Sequence, residues 1–66
     1  MLKVKNVNRL KVFGFKEEIN NYTKNIGDTV IFVDRANGNI DFDGNSKVAL
    51  DEIFELVAAN LIKRVN

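Results

Sequence analysis

The dipeptide Asn37-Gly38 is the feature that most restricts how this chain can fold. Asn-Gly between two runs of strand-forming residues is a strong short-range signal for a β-hairpin, because both residues tolerate positive φ angles. Residues 29–34 (TVIFVD) before it are mainly β-branched and aromatic, and residues 39–43 (NIDFD) after it alternate polar and apolar side chains. The sequence therefore predicts two antiparallel strands joined by a short turn.

The same stretch has part of the spacing of an EF-hand calcium loop. With Gly38 at the glycine position of such a loop, Asp41 falls at a ligand position. The first and third ligand positions, however, hold Val33 and Arg35, and Gly44 stands where the closing glutamate is required. We therefore predict no metal site and interpret the segment as a hairpin.

Two segments have the apolar periodicity of a helix. In residues 15–26, apolar side chains recur at the i, i+4, i+7 and i+11 positions of one helical face. In residues 46–64, preceded by the capping candidate Asn45, a longer stripe recurs at helical spacing. Its members are Leu50, Ile53, Phe54, Val57, Leu61 and Val65. The sequence thus predicts two helices, one before and one after the hairpin.

The predicted elements indicate a small α+β domain. Residues 2–5 and 10–13 are expected to be extended, either as a second hairpin or as one strand with a bulge. The expected fold is a single domain, residues 1–66, of the α+β class. It consists of an antiparallel sheet of three to four strands with two helices packed on one face, in the order ββαββα or βαββα.

The absence of Cys and His from all 66 residues excludes several kinds of chemistry. Disulfides, thiolate zinc sites and imidazole catalysis are not available to this chain. The remaining catalytic candidates have structural explanations: Ser46 suits a helix cap, and Asp41 and Asp43 suit the exposed face of a strand. No glycine-rich phosphate loop is present. We therefore predict a protein that is not an enzyme and needs no cofactor.

The chain also has no segment typical of membrane insertion. No run approaches eighteen apolar residues, and the first residues lack the apolar stretch of a signal peptide. A cytoplasmic location without membrane contact is expected. Heavy use of Asn, Lys and Ile is typical of AT-rich genomes, so a viral or bacterial source is expected.

The distribution of apolar residues suggests a surface that contacts another protein. A sheet covered by helices on one side needs one apolar face, yet residues 30–33 (VIFV) are apolar on both faces. We predict a protein–protein interaction module, a regulator or inhibitor of a larger partner that also self-associates as a homodimer. The predicted interface residues are Val30, Phe32, Leu61, Ile62 and Val65.

Nucleic-acid binding is the alternative function. Residues 1–16 contain five basic side chains and no acidic one, although the net charge of the whole chain is only +1. Clustered basic residues can form an electrostatic contact with phosphate groups. The residues predicted for this alternative are Lys3, Lys5, Arg9 and Lys11. The nine acidic residues that follow would repel phosphate, which favours the protein-binding interpretation.

The segment TVIFVDRANGNIDFDGNSKVALDEIFEL resembles the middle of the histidine-containing phosphocarrier (HPr) family. That family has a strand, a short hairpin turn, a second strand and then a serine at the start of an apolar helix. The resemblance implies a similar hairpin and helix here, with Ser46 at the position of the family's regulatory serine. The phosphorylated histidine has no counterpart, so phosphocarrier activity is not implied. A degenerate domain of this kind is a further alternative.

Overall fold

Two antiparallel sheets and two helices make up the part of the protein that its computed structural model describes, residues 2–65. The elements in chain order are β1 (Leu2–Val4), a 3₁₀ helix (Val7–Phe13), β2 (Lys16–Glu17), β3 (Asn21–Ile26), β4 (Thr29–Asp34), β5 (Ile40–Asp43), α1 (Ser46–Ala58) and β6 (Ile62–Arg64). One sheet has the strand order β2-β3-β4-β5, and the other pairs β1 with β6. The predicted α+β class and antiparallel sheet are confirmed.

The predicted hairpin is present as β4 and β5. Val33 lies opposite Ile40, and the pairing continues to Val30 opposite Asp43. In the connecting loop, the Asp34 carbonyl accepts a hydrogen bond from the Gly38 N–H at 2.8 Å. Gly38 has a φ of 76°, and a Cβ atom there would collide with the carbonyl oxygen of Val4. Glycine is therefore required both by the turn and by its close contact with β1.

The predicted helix over residues 15–26 is wrong. This segment forms β2, a turn and β3, and β3 pairs with β4 along its whole length. The turn between β3 and β4 consists of Gly27 and Asp28, with Gly27 at a φ of 59°. A two-residue turn of this kind is a preferred hairpin connection. Gly27 thus marks a second hairpin, and β3 pairs with the edge of β4 that β5 leaves free.

The predicted strand over residues 10–13 is also wrong, because this segment lies in the 3₁₀ helix. Val7, Leu10 and Phe13 are spaced three residues apart, which places them on one side of a helix with three residues per turn. Leu10 is fully buried, and the other two are partly buried against the core. Burial of this stripe explains a long 3₁₀ segment.

Helix α1 begins where the sequence predicts but ends earlier. The side-chain oxygen of Asn45 accepts a hydrogen bond from the Val48 N–H at 3.1 Å, which caps the first turn. The helix ends at Ala58, and Asn60 adopts a left-handed φ of 60°, as is common just after a helix. The chain then forms β6 instead of continuing the predicted helix to residue 64. Val4 lies opposite Ile62 in the resulting pair of strands.

Only part of the predicted apolar stripe of α1 is buried. The buried residues of the helix are Ala49, Glu52, Ile53 and Leu56. Leu50, Phe54 and Val57 of the stripe are exposed, whereas Ile53 and Leu61 are buried. The helix has two neighbouring apolar stripes, and the sheet covers the one that contains the small Ala49. A small residue at the contact permits close approach of the helix to the sheet.

The core lies between α1, the 3₁₀ helix and one face of the larger sheet. Its fully buried large side chains are Leu10, Ile31, Val33 and Leu56. Along β4, burial alternates strictly, so that Val30 and Phe32 point away from this core and are partly exposed. In the described residues, no helix is long and apolar enough to cross a membrane.

Candidate interaction surfaces

An exposed apolar stripe on α1 is the most prominent surface feature of the described residues. Leu50, Phe54 and Val57 are 48%, 61% and 49% exposed, respectively. Their i, i+4 and i+7 spacing places them along one side of the helix. Three large apolar side chains in a row form an apolar patch, and such patches often mark contact sites with other proteins.

An apolar groove lies beside this stripe. It has a volume of about 410 Å³ and is lined by Leu2, Ile40, Asp41, Phe42 and Ile53. Leu2 and Phe42 are 43% and 38% exposed, whereas Ile53 is nearly buried. The groove thus lies between the strands β1 and β5 on one side and α1 on the other.

Ile53 connects the groove to the stripe. It is three residues after Leu50 and four residues before Val57, so it neighbours both on the helix surface. We refer to the five exposed residues around Ile53 as the apolar surface. They are Leu2, Phe42, Leu50, Phe54 and Val57. Side chains from two strands and one helix are therefore combined in one contact area.

Other exposed apolar residues do not belong to this surface. Ile19 is 88% exposed in the turn before β3, and Val12 is exposed on the 3₁₀ helix. Each is the sole large exposed apolar residue of its segment among residues 2–65. Single exposed apolar residues are common in proteins and need no partner. Ile19 is therefore a suitable control for experiments on the apolar surface.

The structure divides the predicted interface residues among three environments. Val30 and Phe32 lie on the outer face of the larger sheet, next to polar or acidic cross-strand neighbours. Leu61 is buried in the core, and Ile62 packs partly buried against it. Val65 is partly exposed after β6. The predicted residues therefore do not form one surface, and Leu61 is not accessible to a partner.

The outer sheet face is less apolar than its β4 sequence indicates. Thr23 and Asp41 flank Phe32 on the adjacent strands. Asn25 and Asp43 flank Val30 in the same way. Polar cross-strand neighbours cover the sides of these two apolar residues, which accounts for their partial burial without another layer.

The four basic residues predicted for nucleic-acid binding are also separated. Lys11 Nζ lies 2.6 Å from Glu17 Oε1, so its charge is paired. The hydrogen bond to Glu17, and then the Coulomb attraction, raises the pKa of Lys11 above its ordinary value of 10.5. Lys3, by contrast, lies in β1, Lys5 follows β1, and Arg9 lies on the 3₁₀ helix. No carboxylate lies within ion-pair distance of these three cations in the described residues.

Glu17 binds two basic residues at the edge of the sheet. Its second carboxylate oxygen lies 2.9 Å from Arg35 Nη2. The hydrogen bond from Lys11 lowers the pKa of Glu17 below its ordinary value of 4.5. Because Glu17, Lys11 and Arg35 are all substantially exposed, this cluster is a surface feature that joins the 3₁₀ helix, β2 and the end of β4.

Asp41 and Asp43, the carboxylates considered for catalysis, both lie on β5. Within residues 2–65, no three His, Cys, Asp or Glu side chains are grouped as metal ligands. Asp41 Oδ1 accepts a hydrogen bond from the Phe42 N–H at 2.8 Å, and Ser46 is the first residue of α1. Asn45, and not Ser46, caps the first turn of α1.

Comparison with protein-family models, curated proteins and solved structures found no match to this chain. The resemblance to the HPr family consequently stays a prediction from the sequence. The apolar surface and the distribution of charge are the observations on which a function can be proposed.

Proposed function

We propose that this protein is a non-enzymatic interaction module that binds another polypeptide through its apolar surface. The observation that carries the proposal is the exposure of Leu50, Phe54 and Val57 beside the groove. Removing apolar area from water contributes about 25 cal/mol per Å², so covering this surface would stabilise a complex. A cytoplasmic regulator or inhibitor of a larger protein, of viral or bacterial source, fits a chain without Cys or His.

The composition of the surface favours a protein partner. Phe54, the most exposed of the five residues, is an aromatic side chain of the type enriched at protein interfaces. It stands at the middle of the stripe, between Leu50 and Val57, where interface anchors commonly lie. The adjacent groove can accept an apolar side chain from the partner.

A second copy of the chain is one such partner. A small domain gains stability from self-association when its own core is limited. The helix stripe can pair with the same stripe of another copy, because a two-fold interface uses the same residues on both chains. Self-association therefore belongs to the proposal, alongside binding to a different protein.

Phe54→Asp and Ile19→Asp provide a matched test of this proposal. Both residues are exposed, so neither substitution should unfold the domain, and circular dichroism verifies this. Phe54→Asp should reduce binding of a hydrophobic dye and abolish any dimer detected by light scattering. Ile19→Asp should leave both unchanged. Equal dye binding by all three proteins, with a monomer at every concentration, would contradict the proposal.

Nucleic-acid binding is the second candidate function. It is favoured by the three cations Lys3, Lys5 and Arg9, which have no carboxylate partner in the described residues. Binding of this kind weakens steeply as salt is added, because phosphate contacts release counterions. Retention on a nucleic-acid column that is lost on Lys3→Glu with Arg9→Glu, and kept by Phe54→Asp, would favour this function instead.

A further inference from the structure

The pairing of β1 with β6 brings the two basic ends of the chain together. Lys3 lies directly opposite Lys63 in the antiparallel register. The Lys5 N–H donates a hydrogen bond to the Leu61 carbonyl at 2.7 Å, so the ladder continues past β1. Lys5 is therefore a diagonal neighbour of Lys63. We refer to Lys3, Lys5 and Lys63 as the lysine cluster.

Like charges that lie directly opposite each other on neighbouring strands destabilise a sheet. Within residues 2–65, no Asp or Glu lies within ion-pair distance of any member of the lysine cluster. Lys5 Nζ donates a hydrogen bond to the neutral side chain of Asn60, at 3.2 Å. The repulsion between these lysines is thus not compensated by an acidic side chain in the part of the chain described.

A polar pocket adjoins the lysine cluster. Its volume is about 500 Å³, and its lining includes Lys5 and Lys63. Arg35, Asn6 and Asn8 also line it, together with the β4–β5 loop. Among the described residues, no Asp or Glu contributes to the lining. The pocket therefore combines three positively charged residues with side-chain amides that donate hydrogen bonds.

Arg35 is held in place at this pocket. Its Nη1 group donates to the carbonyl oxygens of Glu18 and Ile19, at 2.8 and 3.2 Å. Its Nη2 group pairs with Glu17, which reduces the net charge that Arg35 contributes. The two lysines consequently supply most of the positive charge of the pocket, because the guanidinium group of Arg35 is bound by residues outside the pocket lining.

We propose that this pocket binds a phosphate group. A phosphate monoester carries a charge between −1 and −2 near neutral pH and offers several acceptor oxygens, which suit lysine ammonium and asparagine amide donors. The pocket volume falls within the range of small-ligand sites, about 300–1,000 Å³. A bound phosphate would also reduce the repulsion between Lys5 and Lys63, which both line the pocket. This site is separate from the apolar surface and does not depend on the proposed protein binding.

Titration by NMR with two phosphate probes tests the site. It also shows whether the bound phosphate group belongs to a small molecule or to a nucleic acid. Inorganic pyrophosphate represents a small phosphorylated ligand, and a short oligothymidylate represents a nucleic-acid strand. At low salt, at least one probe should shift the backbone resonances of Lys5, Arg35 and Lys63 in a saturable manner. Saturable resonance shifts with pyrophosphate would assign a site for a small phosphorylated ligand. Shifts with the oligonucleotide alone would assign a site for single-stranded nucleic acid. Absence of saturable shifts with both probes would overturn the proposal.

A matched pair of variants separates the pocket from general attraction between opposite charges. Lys5→Gln with Lys63→Gln should weaken binding of the responding probe by at least tenfold. Lys47→Gln, which alters an exposed lysine at the start of α1, should change it by less than twofold. If both variants lose the same affinity for the probe per charge removed, the binding site is not localised at the pocket.

A thermal measurement checks the repulsion directly and does not depend on the NMR result. Lys63→Glu should raise the melting temperature without phosphate, because it places opposite charges across the strand pair. Pyrophosphate should then raise the melting temperature of the wild type but not of this variant, since only the wild type retains the site. A lower melting temperature for Lys63→Glu would contradict the charge argument.

Discussion

Lys24 Nζ lies 2.8 Å from Glu52 Oε1 and joins β3 to α1 at the edge of the core. The same ammonium group donates a hydrogen bond to the carbonyl oxygen of Phe13 at 2.7 Å. Both side chains are largely buried, and the second carboxylate oxygen of Glu52 has no hydrogen-bond partner among residues 2–65. This ion pair therefore connects β3, α1 and the 3₁₀ helix, and it depends on both partners.

Removing only the lysine should destabilise the fold strongly. Lys24→Met leaves the Glu52 charge buried without its partner, which costs about 3 kcal/mol in comparable cases. The double variant Lys24→Met with Glu52→Leu should recover most of that loss, because no unpaired charge is left. Chemical denaturation of the three proteins measures the free energies of unfolding. A double variant as unstable as Lys24→Met would show that the unpaired charge is not the cause.

Two leucines on the same helix test which face of α1 packs against the sheet. Leu56 is fully buried and Leu50 is about half exposed. Leu56→Ala should therefore lower the free energy of unfolding by about 2–5 kcal/mol. Leu50→Ala should change it by no more than about 0.5 kcal/mol. Urea denaturation compares them, and the reverse order would mean that the helix presents its other stripe to the core.

The surface cluster around Glu17 predicts a contribution to stability that depends on pH. Because the folded-state pKa of Glu17 is lowered, the contribution is complete above its ordinary value of 4.5. It is lost as the pH falls through the lower folded-state value. Urea denaturation at pH 6 and pH 3 should show a smaller pH effect in Glu17→Gln than in the wild type.

The exposed residue Glu55, which has no ion pair in the described part of the chain, provides the control for this pH dependence. Glu55→Gln should retain the pH dependence of the wild type. If Glu17→Gln and Glu55→Gln respond identically to pH, the hydrogen bond from Lys11 does not couple the charge of Glu17 to folding.

Local signals explain the parts of the fold that could be predicted. The β4–β5 hairpin and the start of α1 follow from residues close together in sequence, such as Asn45 and the Val48 N–H that it caps. Residues 15–26 misled the prediction because their apolar spacing also fits a helix, although Gly27-Asp28 is itself a hairpin signal. The pairing of Lys3 with Lys63 joins opposite ends of the chain, so no local pattern indicates it.

The candidate surface was only partly predictable for a related reason. The spacing of Leu50, Phe54 and Val57 predicts an apolar stripe on the helix. The same helix has a second stripe, which contains Ala49, Ile53 and Leu56. The choice between them depends on the close approach at Ala49 and on the ion pair of Glu52 with Lys24. These are tertiary contacts, and they override the local pattern.

Photo-crosslinking at position 54 tests the proposed contact most directly. A photo-reactive phenylalanine analogue replaces Phe54 in one variant and Ile19 in another, and both are expressed in cells that naturally produce the protein. We expect a defined protein adduct from position 54 and not from position 19, with twice the chain mass if the partner is a second copy. No adduct at position 54, or the same adducts from both positions, would contradict the assignment of the apolar surface as a protein contact.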